Sequence, residues 1–417
     1  MKMKNLSTLI LIIILFASCE KSKTTKIHGT VKNAETEYLL LVGLNQDFRF
    51  DSIIQIPVIE GNFSHNLNLE QPIVLTMFLD DMVKKGGGSY MPVFIEPGEI
   101  EIKITDKELY TTTQVNGGNL NKEYQSYRQN YFEQFESKLN RIFSKRDSLH
   151  KIKKYNSKAM NNIFDSLSNT DDQIIKNHLY ERMEYLQENN LEVSPEALVW
   201  KIETQKLREE TDDFTNTYIK ENNSLVSYYL FLTNLKYYPE KYTATSAQGR
   251  LEKFEEKFTF HPYNTIAQKW IHAIDNIKVG KPFIDFNAET IEGTTVLFSD
   301  IIDDKYILLD LWATWCGPCI GRTQEMIPIY EKYRNQNFTI IGVAGEYKNL
   351  DRLNNFLEKE QWPWRQLVDL DHKNEIWLKY GVDGSGGATF LIDPSGNIIA
   401  KNPKPEEVDQ ILAETKL

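Results

Sequence analysis

Cys316 and Cys319 are two of only three cysteines in the 417-residue chain, and they stand together as Cys316-Gly317-Pro318-Cys319. Thiolates at this spacing either help to ligate a metal or exchange with a disulfide. A zinc site would need two further thiolate or imidazole ligands at workable spacing. No second Cys-x-x-Cys exists, and the seven histidines are scattered without paired spacing. A purely structural disulfide is disfavoured, because closing so short a loop removes little entropy from the unfolded chain. Redox exchange is therefore the expected chemistry, with no metal and no cofactor beyond the Cys316–Cys319 disulfide itself.

The elements around the pair are arranged to present it. Tyr306-Ile307-Leu308-Leu309-Asp310-Leu311-Trp312 reads as a buried strand running directly into Ala313-Thr314-Trp315-Cys316. Residues 317–335 read as a helix, with Pro318 suited to its first turn because its missing N–H would be unpaired there anyway. A strand over 338–344, a helix over 349–361, a strand at 366–368 and a helix over 372–380 follow. Ala388–Asp393 and Ile398–Lys401 read as a hairpin over Asp393-Pro394-Ser395-Gly396-Asn397, and a helix over 405–415 closes the chain. Strands alternating with helices indicate an α/β three-layer domain over 279–417.

Two other regions precede it. Residues 26–117 carry short apolar runs between turn signals, as in Ile73–Phe78, Pro92–Ile95 and Ile100–Ile104, and read as a β-rich domain of antiparallel strands. From 118 to 278 the period changes. Tyr124, Tyr127, Tyr131, Phe135, Leu139, Ile142 and Phe143 recur at helical spacing, with Asn119 placed as an N-cap, and five shorter helical stretches follow. The aromatic stripe is read as a core seam between helices.

The third cysteine, Cys19, ends an N-terminal export signal over residues 1–18. Lys2 and Lys4 precede the apolar run Leu9–Phe16, and small residues Ala17 and Ser18 precede Cys19. The run is eight residues, short of the roughly 20 needed to cross a bilayer as a helix. Phe16-Ala17-Ser18-Cys19 resembles a lipobox, so Cys19 is expected to be the lipid attachment site of a membrane-anchored, periplasm-facing protein. That location is one where disulfides form and persist. The net charge of −11, from 48 basic and 59 acidic residues without a basic patch, argues against a nucleic-acid partner.

From Val279 onward the chain resembles the thioredoxin superfamily, specifically its TlpA/ResA-type envelope thiol-disulfide oxidoreductases. Trp312 to Cys319, the Gly280-Lys281-Pro282 entry, and Phe390-Leu391-Ile392-Asp393 leading to Gly396 carry the likeness. The N-terminal region resembles a poorly characterised β domain found ahead of such modules. Asp51-Ser52, Gly61-Asn62-Phe63, Phe94-Ile95-Glu96-Pro97-Gly98 and Gly117 to Asn121 carry that weaker likeness. The resemblance implies a C-terminal thioredoxin fold behind a β-rich domain and a helical region. It makes Cys316 the exposed attacking nucleophile, Cys319 the resolving thiol and Asp310 the buried proton acceptor for Cys319, with Trp315, Gly317 and Pro318 in support. Thioredoxin has the same Cys-Gly-Pro-Cys sequence and a potential of about −270 mV, which points to a reductant.

Three positions depart from the family pattern. Arg322 stands where a glutamate is usual, and Gln324 where a helix proline is usual, with Pro328 later. The cis-proline before the Phe390 strand is replaced by glycine. Counting back from Phe390 assigns that place to Gly387, and counting forward from Val382 assigns it to Gly386. This loop normally holds substrate backbone, so weak docking is expected, with improvement on Gly387→Pro.

The resulting reading is a disulfide reductase of the cell envelope. Its partners would be envelope protein disulfides or thiols and an upstream thiol donor, in roles such as cytochrome c-type biogenesis or cell redox homeostasis. The alternative is a partner- or ligand-binding lipoprotein with a degenerate thioredoxin module. A peroxidase is disfavoured, because Ala313 stands where a peroxidatic cysteine needs threonine three residues ahead of it.

Overall fold

The computed structural model describes residues 24–33, 35–47, 52–84, 88–170, 172–302, 304–382 and 386–415. The chain forms two compact units, one running through Leu41 and over Gln55–Asn121, the other comprising Val42–Ile54 and Lys122–Leu417.

The N-terminal β region holds β1 (Thr24–Val31), β2 (Tyr38–Gly43), β3 (Ile54–Pro57), β4 (Asn62–Asn68), β5 (Ile73–Leu79), β6 (Met91–Ile95), β7 (Gly98–Ile104) and β8 (Gln114–Asn116), with short helices α1 (Asp80–Lys84) and α2 (Leu109–Thr112). They form two four-stranded sheets, β4-β1-β7-β8 and β3-β2-β5-β6. The all-antiparallel expectation is corrected: β1 pairs antiparallel with β4 but parallel with β7, Ile27 lying opposite Ile100. Strand direction is set by non-local pairing, which turn signals along the chain do not encode. Pro92 lies in β6, an edge strand, where its missing N–H interrupts no ladder on the outer side.

The helical region comprises α3 (Asn119–Lys151), α4 (Lys158–Ser168), α5 (Gln173–Glu188), α6 (Pro195–Glu221), α7 (Leu225–Tyr237), α8 (Ala244–Lys257) and α9 (Pro262–Asn276). Asn119 is not the cap of α3 but its first residue. The Glu96 carboxylate accepts from the backbone N–H groups of Asn119 and Leu120, placing a negative charge at the positive end of the helix. The aromatic stripe of α3 is a seam against α6: the ring centroids of Tyr127 and Tyr218 are 4.7 Å apart, and Tyr131 and Phe135 both pack on Phe214. Phe143 leaves the seam and is 48% exposed.

The C-terminal α/β domain adds β9 (Asn287–Thr290), β10 (Thr295–Leu297), β11 (Tyr306–Trp312), α10 (Gly317–Glu325), α11 (Ile327–Tyr333), β12 (Phe338–Ala344), α12 (Asp351–Glu360), β13 (Arg365–Val368), α13 (Ile376–Lys379), β14 (Ala388–Ile392), β15 (Ile398–Lys401) and α14 (Pro405–Glu414). One seven-stranded sheet runs β10-β9-β13-β12-β11-β14-β15. β11 sits inside it, parallel to β12 and antiparallel to β14. A strand covered on both faces needs a nearly continuous apolar run, and Ile307 to Trp312 are all buried. That continuity makes Asp310 the exception in its strand. The helix read over 317–335 is broken at Met326, with Pro328 in the first turn of α11.

Candidate active site

β11 ends at Trp312, and the next four residues carry the chain to Cys316, the N-cap of α10. Cys316 and Cys319 are joined in a disulfide, with their Cα atoms 5.3 Å apart. The Cys316 sulfur accepts a hydrogen bond from the Cys319 backbone N–H at 3.3 Å. Unpaired amides at a helix start favour negative charge on such a sulfur. Pro318 lies in the first turn of α10. The expectation of an exposed Cys316 is corrected: Cys316 is 6% exposed and Cys319 1%. What surface the pair offers belongs mainly to Cys316.

The approach to Cys316 is held from both sides. The buried Glu346 carboxylate accepts from the Thr314 backbone N–H at 2.7 Å and from its hydroxyl at 2.9 Å, while Arg352 donates to the Thr314 carbonyl at 2.9 Å. Trp315 donates from its indole to the Gly345 carbonyl at 3.0 Å. Neither Glu346 nor Arg352 was singled out from sequence. Glu346 had one signal available: an acid just beyond the C-terminal end of a parallel strand, where open α/β sheets gather their site residues.

Asp310, within β11, is 1% exposed. The Thr323 hydroxyl, on the second turn of α10, lies 2.6 Å from Asp310 Oδ2 and 2.8 Å from the Cys319 carbonyl oxygen. Asp310 Oδ1 has no hydrogen-bond partner among the described residues. Burial pushes the Asp310 carboxyl up to about 6, opposed by the Thr323 hydrogen bond and by the charge of Arg322. A group poised there can hold or release a proton near neutrality. Arg322, where the family pattern has an acid, thus contributes a positive charge near Asp310.

The raised pKa also sets a stability trend. Between the ordinary value of 3.8 and about 6 the folded state holds the Asp310 proton and the unfolded state does not. The protonated carboxyl's advantage is full below about pH 4 and is lost as pH rises through 6, leaving the ionised form less stable by about 3 kcal/mol. Asp310→Asn is therefore expected to raise stability at pH 8 by about 2 kcal/mol while slowing resolution of a mixed disulfide. Denaturant midpoints and single-turnover rates measured on the same variant check both signs; a resolution rate unchanged from pH 5 to 8 would leave Asp310 a structural residue.

Gly386 and Gly387 reach the pair from the β14 side. Gly387 donates its backbone N–H to Cys319 Sγ at 3.0 Å, and a Cβ built on Gly386 would lie 4.0 Å from Cys316 Sγ. Gly387 thus stands at Cys319 and Gly386 at Cys316, with no cis peptide bond among the described residues. A Cβ at 387 would lie 1.8 Å from the Leu311 carbonyl oxygen, which corrects the expectation that proline could be installed there. No group of three or more potential metal ligands occurs among the described residues. Cys19 lies outside the described residues.

The sheet, the helix-capping disulfide and the buried acid define a protein of the thioredoxin superfamily. The AhpC/TSA family profile matches residues 279–401, and that of a domain of unknown function, DUF4369, matches residues 25–124. A thiol-disulfide oxidoreductase ResA from Bacillus cereus is 28% identical over 150 residues, which are 36% of this chain and 83% of that protein. The ResA of Geobacillus thermodenitrificans is 31% identical over 145 residues, 34% of this chain and 79% of that protein. Among solved structures, the thioredoxin domain of a thiol-disulfide oxidoreductase from Bacteroides vulgatus is 23% identical, with a TM-score of 0.30, covering 34% of this chain and 99% of that domain. The chain belongs to the ResA-type thiol-disulfide oxidoreductase family.

Proposed function

We propose that the protein is a lipid-anchored, envelope-facing reductase of protein disulfides. The observation that carries the reading is a disulfide at a helix N-terminus with a buried, proton-holding carboxyl one side chain away. In the reduced state, the Cys316 thiolate attacks a substrate disulfide. A Cys316–substrate bond forms, the substrate S–S bond breaks, and one substrate thiolate leaves. Cys319 then gives up its proton, with Asp310 as acceptor, and its thiolate attacks Cys316 Sγ. The Cys316–Cys319 disulfide forms and the second substrate thiolate leaves, so two electrons have passed from the pair to the substrate. An upstream thiol donor returns the pair to the dithiol.

The test is turnover. The chain from Glu20 onward, supplied with a small dithiol, is expected to accelerate reduction of a protein disulfide well beyond the donor alone. A rate equal to the donor's would overturn the proposal.

Anchoring is tested separately. No described helix is long and apolar enough to cross a membrane, and the proposed attachment is covalent, at Cys19. Metabolic labelling with a fatty acid is expected to mark the protein and to fail on Cys19→Ala. Unlabelled wild-type protein would remove the lipoprotein assignment and leave the reductase reading intact.

A further inference from the structure

Gly387 occupies a position that admits no side chain and whose amide hydrogen is in use. It immediately precedes β14, and its N–H points at Cys319 Sγ from 3.0 Å. A Cβ there would meet the Leu311 carbonyl oxygen at 1.8 Å, the Leu311 carbonyl carbon at 2.8 Å and Cys319 Sγ at 3.1 Å. Glycine alone combines an amide hydrogen with no Cβ, whereas the proline of the family pattern brings a ring and no donor. The Cys316 sulfur has a separate donor, the Cys319 N–H. Each sulfur of the pair is thus served by its own backbone amide.

We infer that the Gly387 amide is the dedicated donor that holds Cys319 as a thiolate during exchange. This rests on the proposed role of Cys319 as the resolving thiol. In resolution Cys319 must lose its proton before its sulfur forms the bond to Cys316 and expels the substrate thiolate. A hydrogen bond to an ionised acceptor is roughly twice as strong as one between neutral groups, so the amide favours the state that attacks. The same contact acts when the donor recharges the enzyme. The donor thiolate bonds to Cys316 Sγ, the Cys316–Cys319 bond breaks, and Cys319 departs with the electron pair as a thiolate beneath Gly387. Among the described residues, Cys316 is bonded to Cys319, Asp310 reaches the Cys319 carbonyl oxygen through Thr323, and the charge of Arg322 acts on Asp310. Asp310 ionised opposes the thiolate, and Arg322 favours it. The family's missing proline is on this account an added catalytic donor, not a lost docking residue.

The test uses the full chain from Glu20 carrying Cys316→Ser, so that Cys319 titrates alone, with glycine labelled by nitrogen-15. The Gly387 amide proton is expected to move downfield as pH rises, with the same midpoint as Cys319 thiolate formation followed by alkylation rate. Replacing Gly387 by glycolate removes the N–H and adds no side chain. That backbone ester is expected to raise the Cys319 midpoint by about one unit. An amide signal that stays fixed while Cys319 ionises, or an ester with an unchanged midpoint, would overturn the inference. Turnover of a protein disulfide by the wild type separates the two readings: its absence with a responsive amide would sink the proposed function alone, and its presence with a fixed amide would sink this inference alone.

Discussion

Cys316→Ser is expected to abolish disulfide turnover, leaving only the rate of the dithiol donor. Cys316 caps α10, its sulfur faces the Cys319 amide, and it holds more of the pair's small remaining surface. The helix N-terminus favours negative charge on a sulfur so placed, which is the sulfur that an incoming disulfide can meet. Serine preserves the cap but is a poor nucleophile at neutral pH. In the reduced wild type, alkylation should strike Cys316 first and Cys319 later. Preferential labelling of Cys319 would reverse the two roles, with Cys319→Ser then becoming the variant that loses attack.

Gly387→Ala is expected to destabilise the protein by about 3 kcal/mol or more, at the upper end for overpacking a filled site. The obstructing atom is the Leu311 carbonyl oxygen, 1.8 Å from the new Cβ. It belongs to β11, whose Leu311 is paired with Ala388 of β14. Relief would require shifting two neighbouring strands of the sheet, not rotating a side chain. Gly387→Pro meets the same oxygen and also removes the N–H donated to Cys319, so loss of stability is expected in place of improved docking. Gly321→Ala is the control: nothing lies within 4 Å of its Cβ, and alanine in a helix is favoured over glycine by roughly 0.5–1 kcal/mol. Thermal unfolding of the three variants decides the matter, and a Gly387→Ala midpoint equal to the wild type would contradict the packing.

Much of the C-terminal domain was legible because its signals are local. The apolar run 306–312, the cysteine spacing and the hairpin over Gly396 each specify an element within a few residues. Asp310 was singled out through the family resemblance, by its place six residues ahead of Cys316 on the incoming strand. Thr323 could not be, since a threonine in a helix carries no sign that its hydroxyl meets a buried acid 13 residues away in sequence. Glu346 holds Thr314 across 32 residues, a relation that depends on β11 and β12 being parallel neighbours. The part played by Gly387 was hidden for a different reason. A backbone N–H has no side-chain signature, and the glycine run left its register open by one residue. The β9–β10 hairpin was missed because its short polar strands carry little periodicity, whereas α4 was overlooked although Met160, Ile163 and Leu167 recur at helical spacing behind the Ser157 N-cap. In the N-terminal sheets β5, β6 and β7 were readable as apolar runs, but β1, β4 and β8 and the parallel partnership of β1 and β7 were not.

The central claim is stepwise exchange through Cys316 with Cys319 resolving, and trapping tests it most directly. Cys319→Ser, reduced and mixed with a protein disulfide, is expected to accumulate a covalent adduct whose mass and peptide map place the intermolecular bond at Cys316. The wild type under the same conditions should release reduced substrate and end with Cys316 and Cys319 joined. No adduct on Cys319→Ser, with the substrate disulfide still consumed at the wild-type rate, would contradict the mechanism.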